Sequence, residues 1–171
     1  GNEQIAVSDS YKMVNRAGKL ERIFLKLPVE SYSISAFDEF GLIPDNDLKT
    51  EQAGTYTNVT ITFSLPHAEG NEVYVLVHYN LPWKNHVTVN TLGEFHVYLS
   101  FFESSDWAIR NLIVTVVLPE GATLRSSVDS ENLTELQKAA FLSSLSFAFQ
   151  NATSFQDLSF DLTYQRQIFW D

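Results

Sequence analysis

The sequence predicts an all-β fold, an antiparallel sandwich, and three observations carry that prediction. Apolar residues recur at every second position in many segments, the period of a strand that buries one face. Isolated glycines and prolines interrupt these segments roughly every 10–15 residues, as in sandwiches. Only one short segment carries the spacing of an amphipathic helix.

Taken in order, the first strand runs through Ile5 and Val7 and continues, less cleanly, through Tyr11 and Met13. Ile23, Leu25 and Leu27 make a second, which Pro28 stops. Tyr32 to Phe37 reads as a third. From Thr57 to Leu65 the alternation is cleanest, with Val59, Ile61, Phe63 and Leu65 on one face and Asn58, Thr60, Thr62 and Ser64 on the other. Val73 to Leu81 and Ile109 to Leu118 are more continuously apolar, as expected of central strands covered on both faces. Pro82 and Pro119 end them. Phe95, Val97, Leu99 and Phe101 alternate again, as do Leu158, Phe160, Leu162 and Tyr164. Gly18, Gly41, Gly54, Gly70, Gly93 and Gly121 fall between strands, where turns are expected.

The helical segment is near residues 134–142. Thr134 and Gln137 fit a capping box, and Leu133, Leu136 and Ala140 would share its inner face. Phe141, Leu145, Phe147 and Phe149 fit a strand instead, so a short helix passing into a strand is expected. The weakest seam is Pro82-Trp83-Lys84-Asn85-His86. It divides the chain into sandwich-like halves, residues 1–82 and 83–171. One continuous domain is the alternative.

Composition narrows the function. Of the 171 residues 44% are hydrophobic and 19% charged, which suits a folded globular chain. Eleven Lys and Arg against 21 Asp and Glu leave a net charge of −10. That argues against nucleic acid as a partner and against an anionic lipid surface, since both need clustered cations. The absence of cysteine excludes disulfides, thiolate metal sites and cysteine nucleophiles. Phosphate-binding glycine loops and the Gly-x-Ser-x-Gly elbow are also missing, so neither a cofactor nor an enzymatic activity is implied.

Some residue types nonetheless point to chemistry. His78 and His96 sit in predicted strands, and if those strands pair, the two imidazoles could hold zinc with a third ligand. Asp45, Asn46 and Asp47 resemble the start of a calcium loop, but Lys49 and Thr50 break the pattern, and a solvated turn after Pro44 fits as well. Three N-x-Ser/Thr sequons mark Asn58, Asn132 and Asn151 as candidate glycan acceptors. Trp83, Tyr98 and Trp107 are candidate anchors for a partner, because Trp and Tyr are favoured at interface hot spots. Trp107, beside Ile109, fits the core better. The terminal Ile168-Phe169-Trp170-Asp171 suits a last strand or a segment next to a membrane.

The second half carries an ordered set of distinctive segments. His78-Tyr79-Asn80-Leu81-Pro82 comes first, then a strand around Phe95 to Phe102. Ile109 to Val117 runs into Leu118-Pro119-Glu120-Gly121-Ala122. Val128-Asp129-Ser130 follows, and Gln156-Asp157-Leu158 opens a final strand ending at Tyr164. This order resembles the lumenal region of the ribophorin I family, non-catalytic, membrane-anchored subunits of the eukaryotic oligosaccharyltransferase. The resemblance is clearest over residues 78–164. The first half fits through Ile5-Ala6-Val7, Leu27-Pro28 and Asp38-Glu39-Phe40-Gly41. The chain is short for that family's whole lumenal region.

The resemblance implies a scaffolding ectodomain with no catalytic residues, on the extracytoplasmic side of a membrane. It further implies a membrane anchor beyond residue 171 and a membrane complex, such as an oligosaccharyltransferase catalytic subunit, as partner. Two alternatives remain: a carbohydrate-binding or carbohydrate-active sandwich, and a cell-surface adhesion or surface-layer domain.

Overall fold

The computed structural model describes residues 4–101, 109–118, 121–127, 133–138, 143–152 and 158–166. The elements in chain order are β1 (Gln4–Val14), β2 (Leu20–Pro28), β3 (Tyr32–Asp38), β4 (Gly41–Leu42), β5 (Leu48–Ala53), β6 (Tyr56–His67), β7 (Glu72–Pro82), α1 (Trp83–His86), β8 (Val87–Val89), β9 (Glu94–Phe101), β10 (Ile109–Val117), β11 (Ala122–Ser127), β12 (Leu133–Lys138), β13 (Ser143–Ala152) and β14 (Leu158–Arg166). They form three antiparallel sheets. The largest has seven strands in the order β12-β13-β10-β1-β7-β3-β4. A four-stranded sheet runs β11-β14-β9-β8, and a three-stranded sheet runs β2-β6-β5.

Each sheet buries one face. In the large sheet the buried positions are Val7 and Tyr11 on β1, Val75 and Val77 on β7, Val114 and Val116 on β10, and Leu145 and Phe147 on β13. The small sheets bury Ile23, Leu25, Val59 and Ile61, and Val97, Leu99, Leu162 and Tyr164. All of these belong to one apolar cluster. The two small sheets therefore cover the same face of the large one, and β2 packs near β9 where they meet. This is a two-layer sandwich.

The large sheet crosses the Pro82–Trp83 seam. It pairs β1 with β7 on one side and with β10 on the other. The seam itself holds α1, a single helical turn.

Three expectations change, and further strands appear. Residues 133–138 form a strand against β13, and the short helix lies at Trp83–His86. A β-bulge explains the misleading spacing. Leu133 registers with Phe147 and Leu136 with Leu145, so three steps on β12 match two on β13. The apolar i, i+3 interval is thus a strand interval lengthened by one residue. Residues 139–142 lie outside the described residues.

Leu65 also leaves the core and is 60% exposed. Leu20 and Arg22 of β2 register with His67 and Thr62 of β6, so the β6 segment between them loops out. Strands β7 and β10 are central but covered on one face only. Tyr74 and Ile113 on their other face are exposed. Finally, β5 carried no alternation to reveal it. It is a mostly exposed edge strand of sequence LKTEQA, held by backbone pairing to β6. Gly54, at φ +64, opens the two-residue loop of that hairpin, where a II′-type turn needs a positive φ.

Val59 and Val114 are both fully buried. Val59→Asp or Val114→Asp places an unpaired carboxylate in the core, at a cost of several kcal/mol that is large against a typical stability of about 5–15 kcal/mol. Each variant is expected to be unfolded, or to melt far below wild type, by circular dichroism. A wild-type melt in either would overturn the inward assignment of its strand.

Candidate functional site

Two polar constellations stand out, one inside the core and one on the surface. The internal one begins on β1. Ile5, Val7, Asp9, Tyr11 and Met13 alternate onto the buried face, so the apolar period delivers a carboxylate to the interior. Asp9 is 3% exposed. Its Oδ2 accepts hydrogen bonds from the hydroxyls of Tyr11 and Tyr79, each at 3.1 Å. Its Oδ1 has no hydrogen-bond partner among the described residues.

Burial raises the Asp9 pKa from 3.8 to about 7, and the two tyrosine hydroxyls only partly offset this. Tyr11 and Tyr79 are themselves held well above the ordinary tyrosine value, by burial first and by Asp9 second. Chemically the group is a carboxylic acid whose ionisation desolvation disfavours, so that it holds its proton up to about pH 7. Asp9, Tyr11 and Tyr79 are all nearly inaccessible, so no substrate reaches them. The cluster is a polar element of the core. Its signal in the sequence is the single acidic residue in the odd-numbered series from Ile5 to Met13, the place where the alternation looked least clean.

The surface constellation is the open face of the seven-stranded sheet. Register places its side chains in rows across the strands. Ser146, Thr115, Ser8, His78 and Ser35 make one row from β13 to β3. On one side lies Ala148, Ile113, Ser10, Leu76, Phe37 and Leu42; on the other lies Ser144, Val117, Ala6, Asn80 and Tyr32. No Asp, Glu, Lys or Arg occurs in these three rows between β13 and β3; on the β12 edge, register puts Glu135 opposite Ser146. The hydroxyls of Thr115 and Ser146 are 2.9 Å apart, and His78 meets Phe37 edge-on at 5.4 Å.

Charge begins at the margin. Lys12 Nζ lies 3.1 Å and Arg110 Nη1 3.3 Å from the Glu72 carboxylate, which also accepts a 2.8 Å hydrogen bond from Tyr74. These bonds, that from Tyr74 first, lower the Glu72 pKa, and Tyr74 first and Glu72 second raise that of Lys12.

The residues singled out from sequence are dispersed. His78 is on β7 of the large sheet and His96 on β9 of the four-stranded sheet, so their strands do not pair and the imidazoles are not brought together. His96 Nδ1 is 3.0 Å from the Thr163 hydroxyl and 3.9 Å from Asp161. Among the described residues no three His, Cys, Asp or Glu side chains group as metal ligands. Asp45, Asn46 and Asp47 form a turn closed by a hydrogen bond from Asp47 N to Pro44 O.

Trp83 packs edge-on against Phe95 and Tyr164, on the inner side of the four-stranded sheet. Tyr98 is 56% exposed on the outer side, so the two do not share a surface. Asn58 lies on the outer face of β6, and Asn151 is exposed with φ +53 at the end of β13. Asn132, Trp107 and residues 168–171 lie outside the described residues. No helix among the described residues is long and apolar enough to cross a membrane. No family model matches the chain, and no curated protein matches it.

The Asp9 geometry sets a pH dependence. The unfolded chain releases this proton near pH 3.8 and the folded chain near pH 7. Its contribution to stability is fully present below about pH 4 and is lost as pH rises to about 7. The slope through that window is about 1.4 kcal/mol per pH unit. Urea unfolding across pH 4–7 is expected to show this slope in wild type and lose it in Asp9→Asn; equal slopes would refute the assignment. Chelators are expected to leave the melting temperature unchanged, whereas a large drop would point to a structural metal.

Proposed function

We propose that this chain is a non-catalytic ectodomain of a membrane-anchored protein. It acts on the extracytoplasmic side by protein–protein binding through the open face of its seven-stranded sheet. By its resemblance to the ribophorin I family, the partner is a protein N-glycosylation complex, such as an oligosaccharyltransferase catalytic subunit.

One observation carries the binding part of this reading: three rows of side chains, running from β13 to β3, hold no charge in a protein of net charge −10, and the middle row meets Glu135 only at the β12 edge. The cores of protein interfaces are depleted of charge in the same way. The small Ser, Thr and Ala side chains lose little conformational entropy when covered. Exposed Ile113, Leu42 and Tyr32 add apolar area to the rows. Asn58 lies on the opposite layer, so a glycan there leaves the face free.

The test is co-purification of the full-length protein from its native membrane in mild detergent, with mass spectrometry of what accompanies it. Wild type is expected to enrich a catalytic subunit of the complex. Ser8→Glu, a charge in the middle row, is expected to lose that enrichment about tenfold or more at an unchanged melting temperature. Recovery of the protein alone, from the soluble fraction, would overturn both the anchor and the partner.

A further inference from the structure

The three sheets end in six outer strands: β12 and β4, β11 and β8, and β2 and β5. An outer strand offers a row of unpaired N–H and C=O groups, and proteins blunt such edges by shortening them, bulging them or ending them with proline. Most edges here are blunted. Strand β4 has two residues and β8 three. Bulges interrupt β11 and β12, and β2 shifts register after Leu20 and ends at Pro28. Strand β5 differs. Its six residues, Leu48–Ala53, pair with β6 without a bulge and include no proline.

The pairing fixes which backbone groups of β5 are free. Thr62 N donates to Asp47 O at 2.8 Å, so residue 47 turns its backbone toward β6. Antiparallel ladders alternate, so Lys49, Glu51 and Ala53 do the same. Leu48, Thr50 and Gln52 therefore turn their N–H and C=O groups to the open edge. The side chains are uncovered as well. Lys49 and Glu51 lie on the outer face, opposite Thr60 and Asn58, and both are exposed. Thr50 and Gln52 lie on the inward side, opposite Val59 and Thr57, yet they too are exposed, so the large sheet does not cover this strand.

This edge is complementary to its own reverse. With a second β5 laid antiparallel against the first, on a twofold axis at Thr50, Thr50 faces its own copy and Leu48 faces Gln52 of the second copy. These are the residues whose backbone groups are free, so each pair exchanges both of its N–H···O bonds. In the same register Lys49 faces Glu51 of the second copy, and the twofold axis repeats that opposite-charge pair. An axis at Lys49 or at Glu51 instead sets like charges against each other and presents backbone groups already bonded to β6. Neither Lys49 nor Glu51 has an ion-pair partner among the described residues. One register thus satisfies backbone and charge together.

We propose that β5 is a homodimerisation edge, on which a second copy of this chain continues the three-stranded sheet across a twofold axis at Thr50. The occupant is a second copy because the charge order of the strand matches its own reverse. The contact is small, so the dimer is weak and concentration-dependent, with a Kd in the micromolar range or above. The edge belongs to the layer opposite the open face of the large sheet, and the proposal does not rest on the partner-binding reading above.

The test is sedimentation equilibrium of the full 171-residue chain, from about 1 µM to about 1 mM. Wild type is expected to pass from monomer to dimer across this range. Lys49→Glu and Glu51→Lys each set like charges opposite one another, twice by symmetry. Each is expected to weaken the dimer about tenfold or more. Both residues are exposed, so the melting temperature is expected to stay unchanged. The double variant Lys49→Glu/Glu51→Lys restores opposite charges and is expected to regain wild-type association. Thr50→Pro removes an N–H that faces the open edge rather than β6, and is expected to abolish the dimer. The proposal is overturned if the chain stays monomeric at every concentration, if the single swaps leave association unchanged, or if the double variant does not restore it. A folded Thr50→Pro that still dimerises overturns it too. Loss of the dimer in Ser8→Glu, with the β5 swaps silent, would move the contact to the open face and likewise overturn it.

Discussion

Strand β1 is the piece on which the rest of the molecule is hung. It is paired with β7 along its full length, from Gln4 to Val14, and with β10 from Ala6 to Lys12. One neighbour comes from before the Pro82–Trp83 seam and the other from after it. Remove β1 and the seven-stranded sheet becomes two separate sets of strands, each with a new raw edge. The same strand places Asp9 against Tyr11 and Tyr79 in the middle of the core. A buried acid there disfavours the ionised fold, yet its tyrosine bonds tie β1 to β7 by side chains as well as backbone. Such a tie specifies the register of two neighbouring strands, because a one-residue slip would turn Asp9 outward.

A second constraint follows from having one core. Every sheet has a single buried face, so every sheet also has a solvated one. On the small sheets that second face carries charge and exposed polar groups, such as Arg22 and Lys26 on β2 and Asp161 on β14. On the large sheet, from β13 to β3, it carries Ser, Thr, Ala, Asn and a few apolar residues, with charge at the Lys12–Glu72–Arg110 margin and at Glu135 on the β12 edge. The difference between two equally solvated surfaces is what gives the large sheet a distinct character. A charged surface is held in solution by its hydration, and a flat uncharged one is cheaper to cover.

The irregular positions shape the rest. The loop-out in β6 takes Leu65 from the core, and the slip in β3 leaves Ser33 at φ +51. The bulge in β12 gives a strand the spacing of a helix. In each case a few extra residues alter which face a side chain reaches. Local sequence does not record this, because the count of residues matters only relative to the partner strand.

The fold class was legible in the sequence because alternation is a local property, visible wherever one strand face is buried and the other is not. The buried sets on β2, β7 and most of β6 follow directly from it. The Asp9 position was visible too, as the one acid in the apolar register of β1, but its environment was not. Only tertiary structure brought Tyr79, 70 residues away, to the same oxygen as Tyr11. It alone decided that His78 and His96 lie in different sheets and that Trp83 and Tyr98 face opposite ways. Strand order decided these things, and strand order depends on long-range pairing that no local pattern encodes. The open face is legible only there, since it is made of ordinary polar residues whose meaning lies in what stands beside them.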